Sequence, residues 1–294
     1  MLLGVLSVLS AATIMGIVPS LQKQLLMDGL PTPSLLFLTN LVVSLVTLLF
    51  ILLRHQSLKL TRGQALQVGI MGLAGMGLTA FLINTAYLYL PVGTATMIHF
   101  IYPTVVCIVM GTLFRAGFSK LQIAAIAVSL LGMALLAGQG GDLSPLGVFL
   151  AVASAFSYGF YMITNEKGPA TALPLAVKLF YVATVGTLFF GVYAGATHSL
   201  ALPGTAAGMV QLVVFSGLGT AVAFFLMMSG VQKLGASTAS FLSMAEPVMS
   251  LVFGTLWFHD PVSAGMVAGS LLVLTSVCFI TIDGAQKAKL QKQT

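Results

Sequence analysis

Charge is the scarcest thing in this sequence. Asp, Glu, Lys and Arg together make up 6% of the 294 residues, against about 25% in a soluble domain. A water-soluble fold needs polar groups to cover its surface, and this chain lacks them; a lipid-facing surface removes the need. Cysteine is nearly absent. Cys107 and Cys278 both fall in apolar runs and read as inert buried thiols, with no disulfide framework and no metal spacing. The six acidic residues are scattered, which excludes the clustered aspartates that a magnesium-dependent prenyltransferase needs. None of the four histidines sits in HExxH, and Gly235-Ala236-Ser237 is followed by Thr238 rather than the glycine of a rhomboid-type serine motif. No GxxxxGK[ST] loop is present, so ATP is not the direct energy source. The net charge of +6 comes from single basic residues in short loops, without a basic patch. No nucleic-acid partner is expected.

What the chain has instead is apolar length. Hydrophobic residues make up 58% of it and mean hydropathy is +1.07. A membrane-spanning helix needs about 20 apolar residues, and ten such stretches can be drawn. The first five run near Leu2–Leu21, Ser34–Leu53, Leu66–Tyr87, Val92–Phe114 and Leu121–Gly138. The second five run near Leu146–Thr164, Pro174–Tyr193, Val210–Val231, Ala236–Phe258 and Val262–Ile282. Breakers fill the short connections: Gly29, Pro31 and Pro33, then Pro91, Gly140 and Gly141, Pro169, Pro203 and Gly204, Gly235 and Pro261. Met1 to Gln22 lacks a basic n-region and reads as a retained first span.

With the N-terminus inside, the inner loops hold Arg54, Lys59, Arg62, Arg115, Lys120, Lys167, Lys178 and Lys233, and the tail adds Lys287, Lys289 and Lys292. Only Lys23 of the 12 basic residues falls outside. That asymmetry fixes the orientation by the positive-inside rule and favours an even number of spans. Lys23, Lys178 and Lys233 stand at span ends and are expected to snorkel.

The chain also repeats itself. A shift of 144 residues lays Leu90-Pro91-Val92-Gly93-Thr94 on Leu234-Gly235-Ala236-Ser237-Thr238, Pro103 on Pro247 and Gln67 on Gln211. A shift of 143 lays Gly4 and Gly16 on Gly147 and Gly159. Each copy holds five spans, an odd number, so the second enters the membrane in the opposite sense. The expected fold is all-α and integral to the membrane: ten transmembrane helices in a 5+5 inverted repeat, both termini cytoplasmic. Residues 1–140 form the first half, 141–284 the second and 285–294 a basic cytoplasmic tail.

Several local signatures point further. They are Asn84-Thr85-Ala86-Tyr87-Leu88-Tyr89-Leu90-Pro91 between spans three and four, Glu246-Pro247-Val248 in span nine, and the acidic turn Phe258-His259-Asp260-Pro261 before span ten. With these the chain resembles the drug/metabolite transporter superfamily, specifically its ten-span EamA-type permeases. Met15 stands where such chains usually carry tryptophan. The resemblance implies a central cavity lined by spans one, three, four, six, eight and nine, with no cofactor.

Polar residues inside the membrane are costly and mark function or packing. Glu246 is mid-span beside the helix-kinking Pro247. Tyr102 is its counterpart in the first copy, with His99 one turn earlier; Ser243, Glu246 and Ser250 form the matching face of span nine. A Glu246–His99 pair could couple transport to protons. Tyr158 and Tyr161 share a face of span six, with Asn165 one turn on, and could hold an organic cation. Asn84 is a lining candidate, whereas Asn40 reads as glue between helices. The candidate substrate-binding set is Glu246, His99, Tyr102, Tyr158, Tyr161, Asn84 and Ser243, with Glu246 and His99 for proton coupling and no catalytic or metal-ligating residue. For Glu246 and His99 the competing reading is a satisfied contact that locks packing, and for Tyr158 and Tyr161 it is an anchor at the membrane interface. The glycines Gly69, Gly72, Gly75 and Gly77 could let spans three and four rock, or could serve tight packing.

The expected function is a secondary transporter of the inner (plasma) membrane, not an enzyme. It would move a small metabolite of the amino-acid or organic-cation class by alternating access, as a monomer or weak dimer in the bilayer. A channel, or a regulatory membrane subunit without carrier activity, is the alternative.

Overall fold

The architecture is taken from a computed structural model that describes residues 1–90, 92–114, 117, 119–136, 144–258 and 263–290. The breakers Pro91, Gly140, Gly141 and Pro261, the basic Arg115 and Lys292, and the acidic turn at His259 and Asp260 lie outside these residues, as do the side chains of Lys23, Trp257, Lys287 and Lys289.

The described chain is built of helices. The first half gives α1 (Leu2–Met27), α2 (Thr32–Leu53), α3 (Arg62–Ala86), α4 (Val92–His99), α5 (Tyr102–Thr112) and α6 (Lys120–Leu136). The second half gives α7 (Pro145–Glu166), α8 (Leu175–Ala196), α9 (Ala206–Leu234), α10 (Ala236–Leu242), α11 (Ala245–Phe258) and α12 (Ala264–Leu290). Among the described residues, six helices are long and apolar enough to cross a membrane, and shorter apolar helices accompany them.

Two predicted continuous spans are broken. The fourth divides into α4 and α5 at Phe100 and Ile101, and the ninth into α10 and α11 at Ser243 and Met244. A kink was expected at Pro247; the helix in fact stops before it, and the same happens before Pro103. Proline has no N–H, so the carbonyls of His99 and Ser243 lose their partners four residues on. The Ser243 carbonyl is rescued by the Glu246 N–H at 2.9 Å. Irregular backbone at such depth survives only where protein or a cavity covers it, and both breaks flank the cavity described below. A second departure lies in α3 and α9, each of which carries a π-helical stretch, Met71–Gly77 and Gln211–Leu218.

The two halves share detailed hardware. Thr61 caps α3 by accepting from the Gln64 N–H, and its 144-shift mate Thr205 caps α9 by accepting from the Gly208 N–H. Gln67 donates to the Thr164 carbonyl of α7 at 2.8 Å; its mate Gln211 donates to the Leu21 carbonyl of α1 at 2.6 Å. Leu21 and Thr164 are themselves mates under the 143-residue shift.

Matched helices run antiparallel. Across α2 and α8, Ser34 bonds to the Ser199 carbonyl, Asn40 meets Gly186, and Tyr181 donates to the Leu58 carbonyl at 2.7 Å. Across α6 and α12, Gly132 abuts the Gly269 carbonyl and Leu272, while Gly265 faces the Leu135 carbonyl. The packing partners swap as a two-fold relation demands: α1 lies on α9 and α11, and α7 on α3 and α5. Glycines set these distances. A Cβ on Gly72 would lie 2.6 Å from Val185, and one on Gly217 would lie 2.2 Å from Val42. Gly75 likewise abuts Tyr161, so these glycines serve close helix approach in this state.

Candidate functional site

Where the broken helices meet, the bundle leaves a cavity of about 250 Å³. Ligand pockets run to about 300–1,000 Å³, so this volume suits a small metabolite rather than a drug-sized one. Its wall is mainly apolar. The polar groups on it are Gln22, Thr39, Asn40, Thr79, His99, Tyr102, Tyr158, Thr220 and Glu246. The helices α6 and α12 contribute nothing to it, whereas α2 and α8, not expected there, contribute Leu36, Thr39, Asn40 and Phe190.

Much of the wall is made of mates. Met15 and Tyr158 are related by the 143-residue shift, and both line the cavity. Under the 144-residue shift the same holds for Met76 and Thr220, Thr79 and Ala223, Ala80 and Phe224, and Tyr102 and Glu246. The cavity therefore sits on the pseudo-two-fold between the halves.

Four of the predicted residues lie on this wall: Glu246, His99, Tyr102 and Tyr158. Their rings form a cluster. Tyr158 meets Tyr102 edge-on with centroids 4.7 Å apart and lies 5.6 Å from the His99 ring, which is itself 5.4 Å from Tyr102. The Tyr102 hydroxyl bonds to Ser243, tying α5 to α10 across the two halves. Ser243 is fully buried behind the wall and donates onward to the Ser240 carbonyl. Tyr161 is likewise buried behind the wall, stacked on Tyr158 at 5.7 Å and edge-on to Phe224 at 6.1 Å. Asn84 stands away from the cavity and bonds its own helix at the Ala80 carbonyl.

His99 and Glu246 share the cavity but form no ion pair. The His99 Nδ1 bonds Ser154 Oγ at 2.9 Å, which removes one ring nitrogen from the cavity. Among the described residues, the Glu246 carboxylate has neither a hydrogen bond nor a salt bridge and faces the cavity half-buried. Its backbone is pressed on by α1, since a Cβ on Gly16 would lie 2.7 Å from the Glu246 carbonyl. An unpaired membrane carboxylate amid aromatic rings is suited to a cation, by charge and by ring faces together.

Sequence reasoning missed part of the wall. Asn40, read as glue, bonds the Leu36 carbonyl at 2.8 Å and also lines the cavity. Thr79, Thr220 and Gln22 went unnoticed; the signal that would have found Thr79 and Thr220 is the repeat register itself, which pairs them with other lining positions.

Comparison with known proteins decides the family. The chain matches the EamA-like transporter family over residues 2–138 and 145–282. It belongs to that family. It is a transporter and a multi-pass protein of the plasma membrane. It is 30% identical to an uncharacterized inner membrane transporter, YicL, of Salmonella typhimurium over 67% of this chain and 66% of that relative. It is 27% identical to an uncharacterized transporter, YvbV, of Bacillus subtilis over 68% and 67%. It thus spans about two thirds of the length of these curated relatives. A probable terminal-alkyne amino-acid exporter of Streptantibioticus cattleyicolor is 25% identical over 69% of each chain. A solved crystal structure superposes with a TM-score of 0.80 at 17% identity, covering 95% of this chain and 98% of the other, and shows the shared fold.

Proposed function

We propose that this EamA-family transporter is a secondary carrier that moves a small amino-acid-like or organic-cation metabolite by alternating access. Its halves, residues 1–140 and 141–284, would each contribute five spans, with both termini and the 285–294 tail in the cytoplasm. The observation that carries the reading is the mismatch between the two ends of a symmetric bundle. The C-terminal end of α7 packs on α9 and α10, whereas the mates of these helices, α1, α3 and α4, make no comparable packing and instead border the cavity. Inverted repeats make such a state reversible, because exchanging the conformations of the halves opens the other end. With the basic loops inside, the cavity opens outward and the α7–α10 end is the inner barrier.

In this reading Glu246 takes the substrate's ammonium, or a proton in exchange for it, and the rings of Tyr102 and Tyr158 flank the charge. His99, held by Ser154, would bear on proton coupling through its remaining nitrogen. Ser243 acts through Tyr102, and Tyr161 through Tyr158; Asn84 has no contact that supports a binding role. The amino-acid class is supported by the carboxylate in the cavity and by one relative, the probable terminal-alkyne amino-acid exporter.

The test is counterflow in proteoliposomes. Vesicles loaded with unlabelled L-leucine, L-methionine, choline or nothing are given the same compound with radiolabel outside. A carrier shows uptake accelerated by internal substrate, sensitive to an imposed proton gradient and strongly reduced in Glu246→Gln. Uptake that does not saturate and ignores internal substrate would indicate a channel.

A further inference from the structure

The closed end hides polar groups that the fold leaves unused. Lys178 was expected to snorkel from the start of α8. It is instead 0% exposed, and its Nζ reaches only the Asn165 backbone carbonyl at 3.4 Å; among the described residues no carboxylate pairs with it. A buried ammonium with one neutral acceptor is far from satisfied. Beside it, on the last turns of α7, the Asn165 side chain donates to the Tyr161 carbonyl at 3.0 Å, but its Oδ1 accepts nothing. The Tyr161 hydroxyl is buried beside the Asn165 amide, its nearest polar neighbour, and among the described residues has no partner from any other helix. Tyr161 and Asn165 are 0% and 1% exposed. Three neighbouring residues thus keep an under-paired ammonium, a hydroxyl and an unpaired amide oxygen in a buried place where missing hydrogen bonds are costly.

The repeat says what this place is. Under the 143-residue shift Tyr161 and Asn165 are the mates of Val18 and Gln22, and both of those line the open cavity. When the other end opens, Tyr161 and Asn165 take over the wall positions that Val18 and Gln22 hold now. We infer that Tyr161, Asn165 and Lys178 form a second binding station on the inner half of the path, one that accepts a carboxylate. The inference rests on alternating access. Lys178 Nζ and the Tyr161 hydroxyl would donate to the carboxylate oxygens, and Asn165 Oδ1 would accept from the substrate's amino N–H. Glu246 holds the cationic group in the centre, and this station receives the anionic one, so the preferred substrate class narrows to zwitterions such as amino acids.

The test needs no known substrate. In a background with Cys107→Ser and Cys278→Ser, Asn165→Cys is exposed from the inner face, in inside-out membrane vesicles, to anionic sulfonatoethyl and cationic trimethylammonium-ethyl methanethiosulfonate. Tyr161→Cys serves as the second reporter, and Gln22→Cys, labelled from the outer face, reports that the fold and the open end are intact. The expected result is reaction from the inner face with an anion-to-cation rate ratio that falls about ten-fold or more when Lys178 is replaced by Gln or by Met, as one unscreened charge within a few ångströms dictates. If both reporters react and the ratio ignores both Lys178 variants, the carboxylate station is overturned while alternating access stands. If neither reporter reacts from inside while Gln22→Cys reacts from outside, the inner end does not open, and alternating access falls together with the station.

Discussion

The two ends of the transport path are built from matching helices and differ in how those helices meet. At one end α1, α3 and α4 border the cavity, with Val18 and Gln22 on its wall. At the other end α7, α9 and α10 close up: the Tyr161 ring meets Phe224, and Glu166 Oε2 accepts from the Ala236 N–H at 2.5 Å. Equivalent scaffolding holds both ends, since Gln67 and Gln211 fasten the last turns of α7 and α1 in the same way. The difference therefore resides in a few contacts of α7 with α9 and α10 and of α10 with α5, which is what a reversible gate requires. A barrier made of a few contacts can be exchanged for its mirror image; a barrier made of the whole interface could not.

Four substitutions would break or sharpen this comparison. Glu246→Gln removes the unpaired carboxylate from the cavity wall. A charge-assisted contact is worth about 1.5–3 kcal/mol, so counterflow should fall about 10–100-fold in proteoliposomes while the protein stays folded by circular dichroism. Glu166→Ala acts on the closed end alone. It removes the acceptor for the Ala236 N–H, and with it a bond of similar worth, so the population open to the inside should rise about ten-fold. Inner-face labelling of Asn165→Cys would read that rise. Tyr102→Phe cuts the tie between α5 and α10 without disturbing the ring cluster. A neutral hydrogen bond contributes about 0.5–1.5 kcal/mol, so turnover should change a few-fold and thermal stability should drop slightly. Asn84→Ala touches neither end and bonds only its own helix; transport should remain within about two-fold of wild type, by the usual scale for substitutions away from special features.

The sequence made the helices legible because a bilayer leaves the backbone little choice. Apolar length, the Pro and Gly breakers and the loop charges located them, and the shift of Pro103 onto Pro247 exposed the repeat. The cavity was partly legible: Glu246, Tyr102, His99 and Tyr158 were found because polar groups in an apolar run are expensive. Asn40 and Asn84 were sorted the wrong way round with respect to the wall. In a membrane protein the faces toward lipid and toward neighbours are both apolar, so periodicity does not report which way a lone asparagine points. Lys178 was misread for the same reason, as its position near a span end says nothing of the protein around it. The helix breaks at Phe100 and Ser243 fell a few residues before the prolines that cause them. Which end is shut was beyond reach of sequence, because the repeat writes both ends alike.

The most direct test of alternating access measures both ends in one protein. Spin labels on Lys167 and Lys233, at the ends of α7 and α9, report the closed end; labels on Met27 and Leu88, 77% and 79% exposed, report the open end. Distances are read by double electron–electron resonance in lipid nanodiscs, with and without Glu166→Ala. Opposite movements are expected: Glu166→Ala lengthens the Lys167–Lys233 distance and shortens the Met27–Leu88 distance. If the two ends widen together, or if the second distance ignores the first, the halves do not exchange conformations and the alternating-access reading is contradicted.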